Sequence, residues 1–145
     1  MDPAGSVRDA MSTEVATLGR NDELLLADDV MRVGRIRHLP VLDDDGETVV
    51  GILSQRDLFR GALANALGYG EHGQTRVMKT LLVKEVMTQE VVTIRDTDAL
   101  ATAAATMIER KIGCLPVLDA SGALVGILTE SDFVRQFVDA GARPR

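Results

Sequence analysis

Two tetrapeptides in this chain invite chemistry. Ser54-Gln55-Arg56-Asp57 and Thr129-Glu130-Ser131-Asp132 each set a hydroxyl three residues ahead of a carboxylate. Each follows an apolar run and opens a helical pattern. The first turn of a helix carries unpaired N–H groups and the positive end of the helix dipole, which suit a phosphate. A hydroxyl there adds a hydrogen bond, and a carboxylate one turn on can accept from two neighbouring ligand hydroxyls. The same residues also spell a capping box that serves only the helix start. The two uses are compatible.

A basic cluster, Arg35, Arg37 and His38, precedes the apolar run Leu39 to Leu42. On an entering strand Arg35 and Arg37 share one face and His38 takes the other. A solvated edge is the competing account of these side chains. His38 has no Ser or Cys nucleophile or motif partner by spacing, so no catalytic residue is expected. Cys114 reads as a buried small apolar residue. His72 has no partner histidine nearby, and Asp43-Asp44-Asp45 is most simply a solvated turn, so no metal site is expected. The chain has no P-loop, no Rossmann glycine fingerprint and no HExxH.

Composition narrows the classes further. The chain has 145 residues, 46% hydrophobic and 26% charged, enough to bury a core without disulfide or metal staples. Aromatic residues are 3% and Trp is absent, so the core is aliphatic and a stacking platform for single strands is excluded. The net charge of −6 argues against a nucleic-acid footprint. No apolar run approaches the roughly 18 residues that span a bilayer. The N-terminus lacks the features of a signal peptide, and one cysteine fits a reducing compartment. A cytoplasmic protein with no membrane contact is expected.

The elements that hold these residues come in two copies. Val7-Arg8-Asp9-Ala10-Met11-Ser12 matches Val83-Lys84-Glu85-Val86-Met87-Thr88, and Leu39-Pro40-Val41-Leu42-Asp43 matches Leu115-Pro116-Val117-Leu118-Asp119, both 76 residues apart. Gly51-Ile52-Leu53-Ser54 matches Gly126-Ile127-Leu128-Thr129 at 75, which leaves one extra residue in the first turn. Strands are expected at Val15 to Leu18 and Val91 to Ile94. Asp22 and Asp98 are then candidate N-caps. Leu24, Ala27 and Met31, like Leu100, Ala103 and Met107, recur at helical spacing, with Gly34 and Gly113 near the helix ends. Hairpins follow, turning at Asp43 to Gly46 and Asp119 to Gly122. A second helix begins near Ser54 or Thr129. Its apolar face is Leu58, Phe59, Ala62, Leu63, Ala66 and Leu67 in one copy, and Phe133, Val134, Phe137 and Val138 in the other. Gly68 to Gly73 is a glycine-rich break, and Thr75 to Leu82 a short lead-in helix.

This series, Leu-Pro-Val, Asp-x-x-Gly, Val-Gly-Ile-Leu and Ser/Thr-x-x-Asp in register and repeated, resembles the cystathionine β-synthase (CBS) domain. The pair resembles a Bateman module over about residues 7 to 139. The resemblance implies an α/β (α+β) fold of two CBS motifs, each β-α-β-β-α, packed about a pseudo-two-fold axis. The division expected is 1–68 for motif 1, 69–82 for a linker, 83–139 for motif 2 and 140–145 for a C-terminal tail.

The resemblance also implies a function. Such modules bind adenosine-containing ligands (AMP, ADP, ATP or S-adenosylmethionine) in clefts between the motifs and regulate something else. Ser54 and Asp57, with Thr129 and Asp132, would take the phosphate and the ribose hydroxyls. His38 occupies the basic position that often meets the phosphate, with Arg37 beside it; Gly113 and Cys114 stand there in copy two. By the same analogy Asp98 and Ala103 would face the Asp57 cleft, and Asp22 and Ala27 the Asp132 cleft. Ile52 and Ile127 would flank the base. Capping, core packing and strand core account for these residues equally well. The expectation is an adenine-nucleotide sensor, not an enzyme, needing no cofactor. It would signal to an unknown effector protein and form a homodimer. The alternative is a ligand-free protein–protein interaction module.

Overall fold

The computed structural model describes residues 5–66 and 78–142. The glycine-rich break, His72 and the first three residues of the expected lead-in helix lie outside them; residues 78–80 of that segment are helical. Two compact units emerge, and they do not follow the order of the repeats. The first spans Ala16–Val91, and the second joins Met1–Val15 to Val92–Arg145.

In the first unit β1 (Leu18–Gly19) runs parallel to β2 (His38–Leu42), which pairs antiparallel with β3 (Val49–Ser54). Helix α2 (Leu24–Gly34) makes the crossover from β1, and α3 (Gln55–Ala66) follows β3 directly. Leu24, Ala27 and Met31 fall on one face of α2 and are buried with Leu39, Val41 and Leu53. The short helix α4 (Val83–Val86), which opens the second repeat in sequence, packs here through the fully buried Val83.

The second unit repeats this plan. It comprises β4 (Ile94–Arg95), α5 (Leu100–Arg110), β5 (Cys114–Leu118), β6 (Leu124–Thr129) and α6 (Glu130–Ala142). The sheet order is β4-β5-β6. Its short helix is α1 (Val7–Ala10), which opens the first repeat in sequence and buries Val7 beside Ala103, Leu115 and Leu128. Both hairpins turn through a glycine at positive φ, Gly46 at 71° and Gly122 at 88°. In the first, the Thr48 hydroxyl and amide hold the Asp45 carboxyl below its ordinary pKa. In the second, Ser121 and the Ala123 amide do the same for Asp119.

Several expectations shift. The first strands are shorter and later than Val15 to Leu18 and Val91 to Ile94. The N-caps are Glu23 and Ala99, without side-chain bonds. Asp22 and Asp98 instead accept from the amides of Gly19 (2.7 Å) and Arg95 (3.0 Å), closing the turn before each helix. Helix α6 runs through Ala142, past the expected start of the tail, on alanines that propagate a helix well. Less than half of the described apolar face on the second helices is covered: Leu58 and Ala62 are buried and Phe133 partly so, whereas Phe59, Leu63, Val134, Phe137 and Val138 are exposed.

The helix ends correct one more reading. Arg35 is not on a strand. It stands at the C-cap of α2 in the left-handed region, φ 53°, with its amide on the Met31 carbonyl. Lys111 does the same for α5 at φ 56°. The Ile36 and Ile112 amides return to Met31 and Met107, and the Ile36 side chain folds over Gly34, so the glycine sits one residue before the strained position. A left-handed side-chain-bearing residue costs about 1–2 kcal/mol, part of which glycine loses again in unfolded-chain entropy. Arg35→Gly and Lys111→Gly should therefore each stabilise by about 0.5–1 kcal/mol, read as a higher melting temperature. A lower one would contradict the strain.

Candidate functional site

The strand-to-helix junction of the first unit gathers the predicted residues. Ser54 ends β3 and Asp57 lies in the first turn of α3. The Ser54 amide donates to Asp57 Oδ2 (3.1 Å) and the Asp57 amide to Ser54 Oγ (3.0 Å), a reciprocal capping box. His38, the first residue of β2, is the register partner of Ser54. The Arg37 carbonyl accepts from the Gln55 amide at 2.8 Å, which fixes Arg37 at the same sheet end. Arg37 is exposed, and His38 and Asp57 are partly buried. Sheet register and helix start thus bring Arg37, His38, Ser54 and Asp57 together. Arg35 is left out.

A further hydroxyl, not singled out as a site residue from the sequence, joins them. Thr88 Oγ1 donates to Asp57 Oδ2 at 3.3 Å. Thr88 is held by a short antiparallel bridge, its amide and carbonyl bonded to those of Ile52 (2.9 and 3.0 Å). This bridge covers the outer edge of β3. Ile52 is therefore part of the edge pairing, and it remains partly exposed.

The second unit builds the corresponding junction with different closure. Thr129 ends β6 opposite Cys114. Its amide and hydroxyl donate to Asp132 Oδ2 (2.8 and 3.3 Å). Ser12 Oγ donates to Asp132 Oδ1 (3.0 Å), and so does Arg135 Nη1 (2.9 Å). Asp132 is 2% exposed. Ser12 is bridged to Ile127 as Thr88 is to Ile52. The spacing of Ser12 and Thr88, one hydroxyl at the same place in each repeat, was the signal for both. Cys114 is buried, and desolvation pushes its thiol up to about 12. A thiol in that state neither carries charge nor attacks.

The remaining candidates hold the fold. Ala27 and Ala103 are fully buried within the cores of their own units. Asp22 and Asp98 close turns, and their carbonyls accept from Val83 and Val7 (both 2.8 Å), docking α4 and α1. Among the described residues no cluster of His, Cys, Asp and Glu could hold a metal ion, and no helix is long and apolar enough to cross a membrane.

Two β-α-β-β-α units, each with a hydroxyl–carboxylate box at its last strand end, define a duplicated α+β fold. The CBS domain family matches residues 7–63 and 83–139, and the chain belongs to that family. A CBS domain-containing protein of Dictyostelium discoideum is 32% identical over 128 residues, 88% of each chain. The homoserine O-acetyltransferase of Methanohalophilus mahii is 31% identical over 138 residues, 95% of this chain but only 25% of that enzyme. The chain thus spans a quarter of that relative. Among solved structures, CBSX2 in complex with AMP has a TM-score of 0.75 at 31% identity, covering 94% of this chain and 98% of the other. The CBS domain pair of protein MJ0100, in complex with 5′-methylthioadenosine and S-adenosyl-L-methionine, has a TM-score of 0.77 at 28% identity, covering 95% and 99%.

The edge bridges need bare glycines. A Cβ on Gly51 would stand 3.1 Å from the Thr88 carbonyl oxygen and against the Met87 sulfur; on Gly126 it would stand 3.0 Å from the Ser12 carbonyl oxygen and against the Met11 sulfur. Gly51→Ala and Gly126→Ala should each destabilise by about 1–3 kcal/mol and loosen the bridged segment. Denaturant midpoints, with amide exchange at Thr88 and Ser12, check this. Wild-type protection at those amides would contradict it.

Proposed function

We propose that this chain is a regulatory sensor of an adenosine-containing ligand, bound at Ser54 and Asp57 of the first unit. The observation that carries the reading is Asp57 itself. Ser54 and Thr88 both bond to Oδ2, and among the described residues no donor reaches Oδ1. That oxygen is placed to accept ribose hydroxyls, while Ser54 and the helix start meet phosphate. Arg37 adds positive charge at the same sheet end, with the His38 imidazole beside it, so a phosphorylated compound such as AMP is favoured over S-adenosylmethionine. The AMP complex of CBSX2 and the adenosine-compound complex of MJ0100 support the ligand class. Ile52 is available to the base. The response is regulatory: ligand binding changes the chain's contact with an effector protein, provided that it favours one conformation over another. The reading includes a cytoplasmic setting and no catalysis.

A thermal-shift panel of AMP, ADP, ATP and S-adenosylmethionine tests it. At a hundred times its dissociation constant a ligand stabilises by about 2.7 kcal/mol. AMP should raise the melting temperature, and Asp57→Asn should remove the rise. If none of the four shifts it at millimolar concentration, the sensor reading fails and the ligand-free interaction module stands.

The same proposal includes a homodimer. The second helices expose the large apolar side chains Phe59, Leu63, Val134 and Phe137, and exposed apolar clusters of this kind suit a protein contact. Sedimentation should give a dimer for the native chain and a monomer for Phe137→Glu combined with Phe59→Glu. A native monomer at micromolar concentration would refute the dimer.

A further inference from the structure

The two carboxylates occupy the same place in their repeats, yet Asp132 is buried with donors on both oxygens, one of them cationic, while Asp57 is partly exposed with its donors on Oδ2. Arg135 and Arg60 are also repeat equivalents, each one turn beyond its aspartate. Arg135 reaches Asp132 Oδ1 at 2.9 Å, and the Asp132 side chain is 1% exposed. Arg60 is exposed and makes no ion pair with Asp57 among the described residues. The like-charged Arg56 lies one turn before Arg60, and Ser131 stands there in copy two, so only Arg60 has a cationic neighbour at that spacing.

With Thr129 amide and hydroxyl on Oδ2, and Ser12 hydroxyl and Arg135 on Oδ1, both oxygens of Asp132 are engaged. A ligand diol would have to displace these donors and take over a buried carboxylate. Leaving such a group short of partners is costly. At Asp57 a diol displaces none.

We propose that Arg135 is a specificity-determining residue that closes Asp132 to ligand, so that the chain takes one adenosine nucleotide, at Asp57. Asp132 then serves as an anchor for the Ser12 segment. The basic side chains follow the same division: His38 faces the Ser54 position, and the buried Cys114 faces Thr129. The inference rests on the proposed reading of Asp57 for its first site, but the gating by Arg135 stands on the geometry of the second unit.

Calorimetric titration of the full chain with AMP tests it. The native chain should bind about one AMP, Arg135→Met about two, and Arg135→Met with Asp57→Asn about one, since methionine keeps the aliphatic stem without the charge. Arg135→Lys should stay at about one, because a single ammonium donor still reaches Oδ1. Circular dichroism melting confirms that each variant is folded. Two sites in the native chain, or no second site in a folded Arg135→Met, overturns the proposal. If the native chain binds no AMP but Arg135→Met binds one, the gate holds and the reading of Asp57 falls. If neither binds AMP, both fall.

Discussion

The two junctions are built around a close backbone approach at which glycine stands in both copies. Strands β3 and β6 are sheet edges, and an uncovered edge is a row of unsatisfied donors and acceptors. Here each edge is met by a short segment from elsewhere in the chain, Thr88 at Ile52 and Ser12 at Ile127. The backbones approach so closely that a Cβ on Gly51 or Gly126 would crowd the facing carbonyl oxygen, at 3.1 and 3.0 Å, and press on a methionine sulfur. The bridge does more than cover an edge. It fixes a hydroxyl beside the capping carboxylate, which ties the helix start, the sheet edge and the bridged segment into one hydrogen-bonded unit. It also explains the compact units: a segment pinned at β6 belongs with β6, wherever it lies in the chain.

Given that bridge, the state of each carboxylate follows from how deeply it is covered. A buried charge is tolerated only when its acceptor sites are filled. Asp132 meets that demand with three neighbouring residues, one of them cationic. Asp57 is partly exposed and can leave one oxygen to solvent. The same box in sequence is therefore a finished structural joint in one unit and an open acceptor in the other. Under the proposed reading, helix capping and ligand binding would not compete at Asp57, because the capping donors use Oδ2 and leave Oδ1.

Much of this was legible before any coordinates. The repeat located both hairpins, both pairs of long helices and both boxes, since helical spacing at Leu24, Ala27 and Met31 and turn glycines at Gly46 and Gly122 are local signals. The exchange of α1 and α4 was not legible, because backbone bridges between residues far apart in the chain, Ser12 with Ile127 and Ile52 with Thr88, leave no local pattern. Only the bare glycine in each Val-Gly-Ile-Leu hinted at it. Asp22 and Asp98 misled because an aspartate before a helix serves a turn as well as a cap. Gly34 does end α2 as its place in the sequence suggested, but the left-handed position falls on its neighbour Arg35, which no local signal marked. The pairing of Arg135 was hidden for another reason: Arg60 stands at the same place, so sequence alone presents the two as equal.

That last case bears on how a duplicated unit acquires two roles. No substitution of the reactive residues was needed, since Ser/Thr, Asp and the following Arg are kept in both copies. The divergence lies one step out, in His38 against Cys114 and Arg56 against Ser131. At the first pair, copy one has a partly buried imidazole, and copy two a buried thiol that desolvation keeps neutral. At the second, a like charge one turn away weakens any inward turn of Arg60, while Ser131 leaves Arg135 without that repulsion. Copy one thus carries more basic side chains around its box, Arg37, His38 and Arg56, while in copy two Arg135 is held in an ion pair with Asp132. Under the proposed reading, a chain whose net charge is −6 would meet an anionic ligand through this local cluster and not through a broad basic surface.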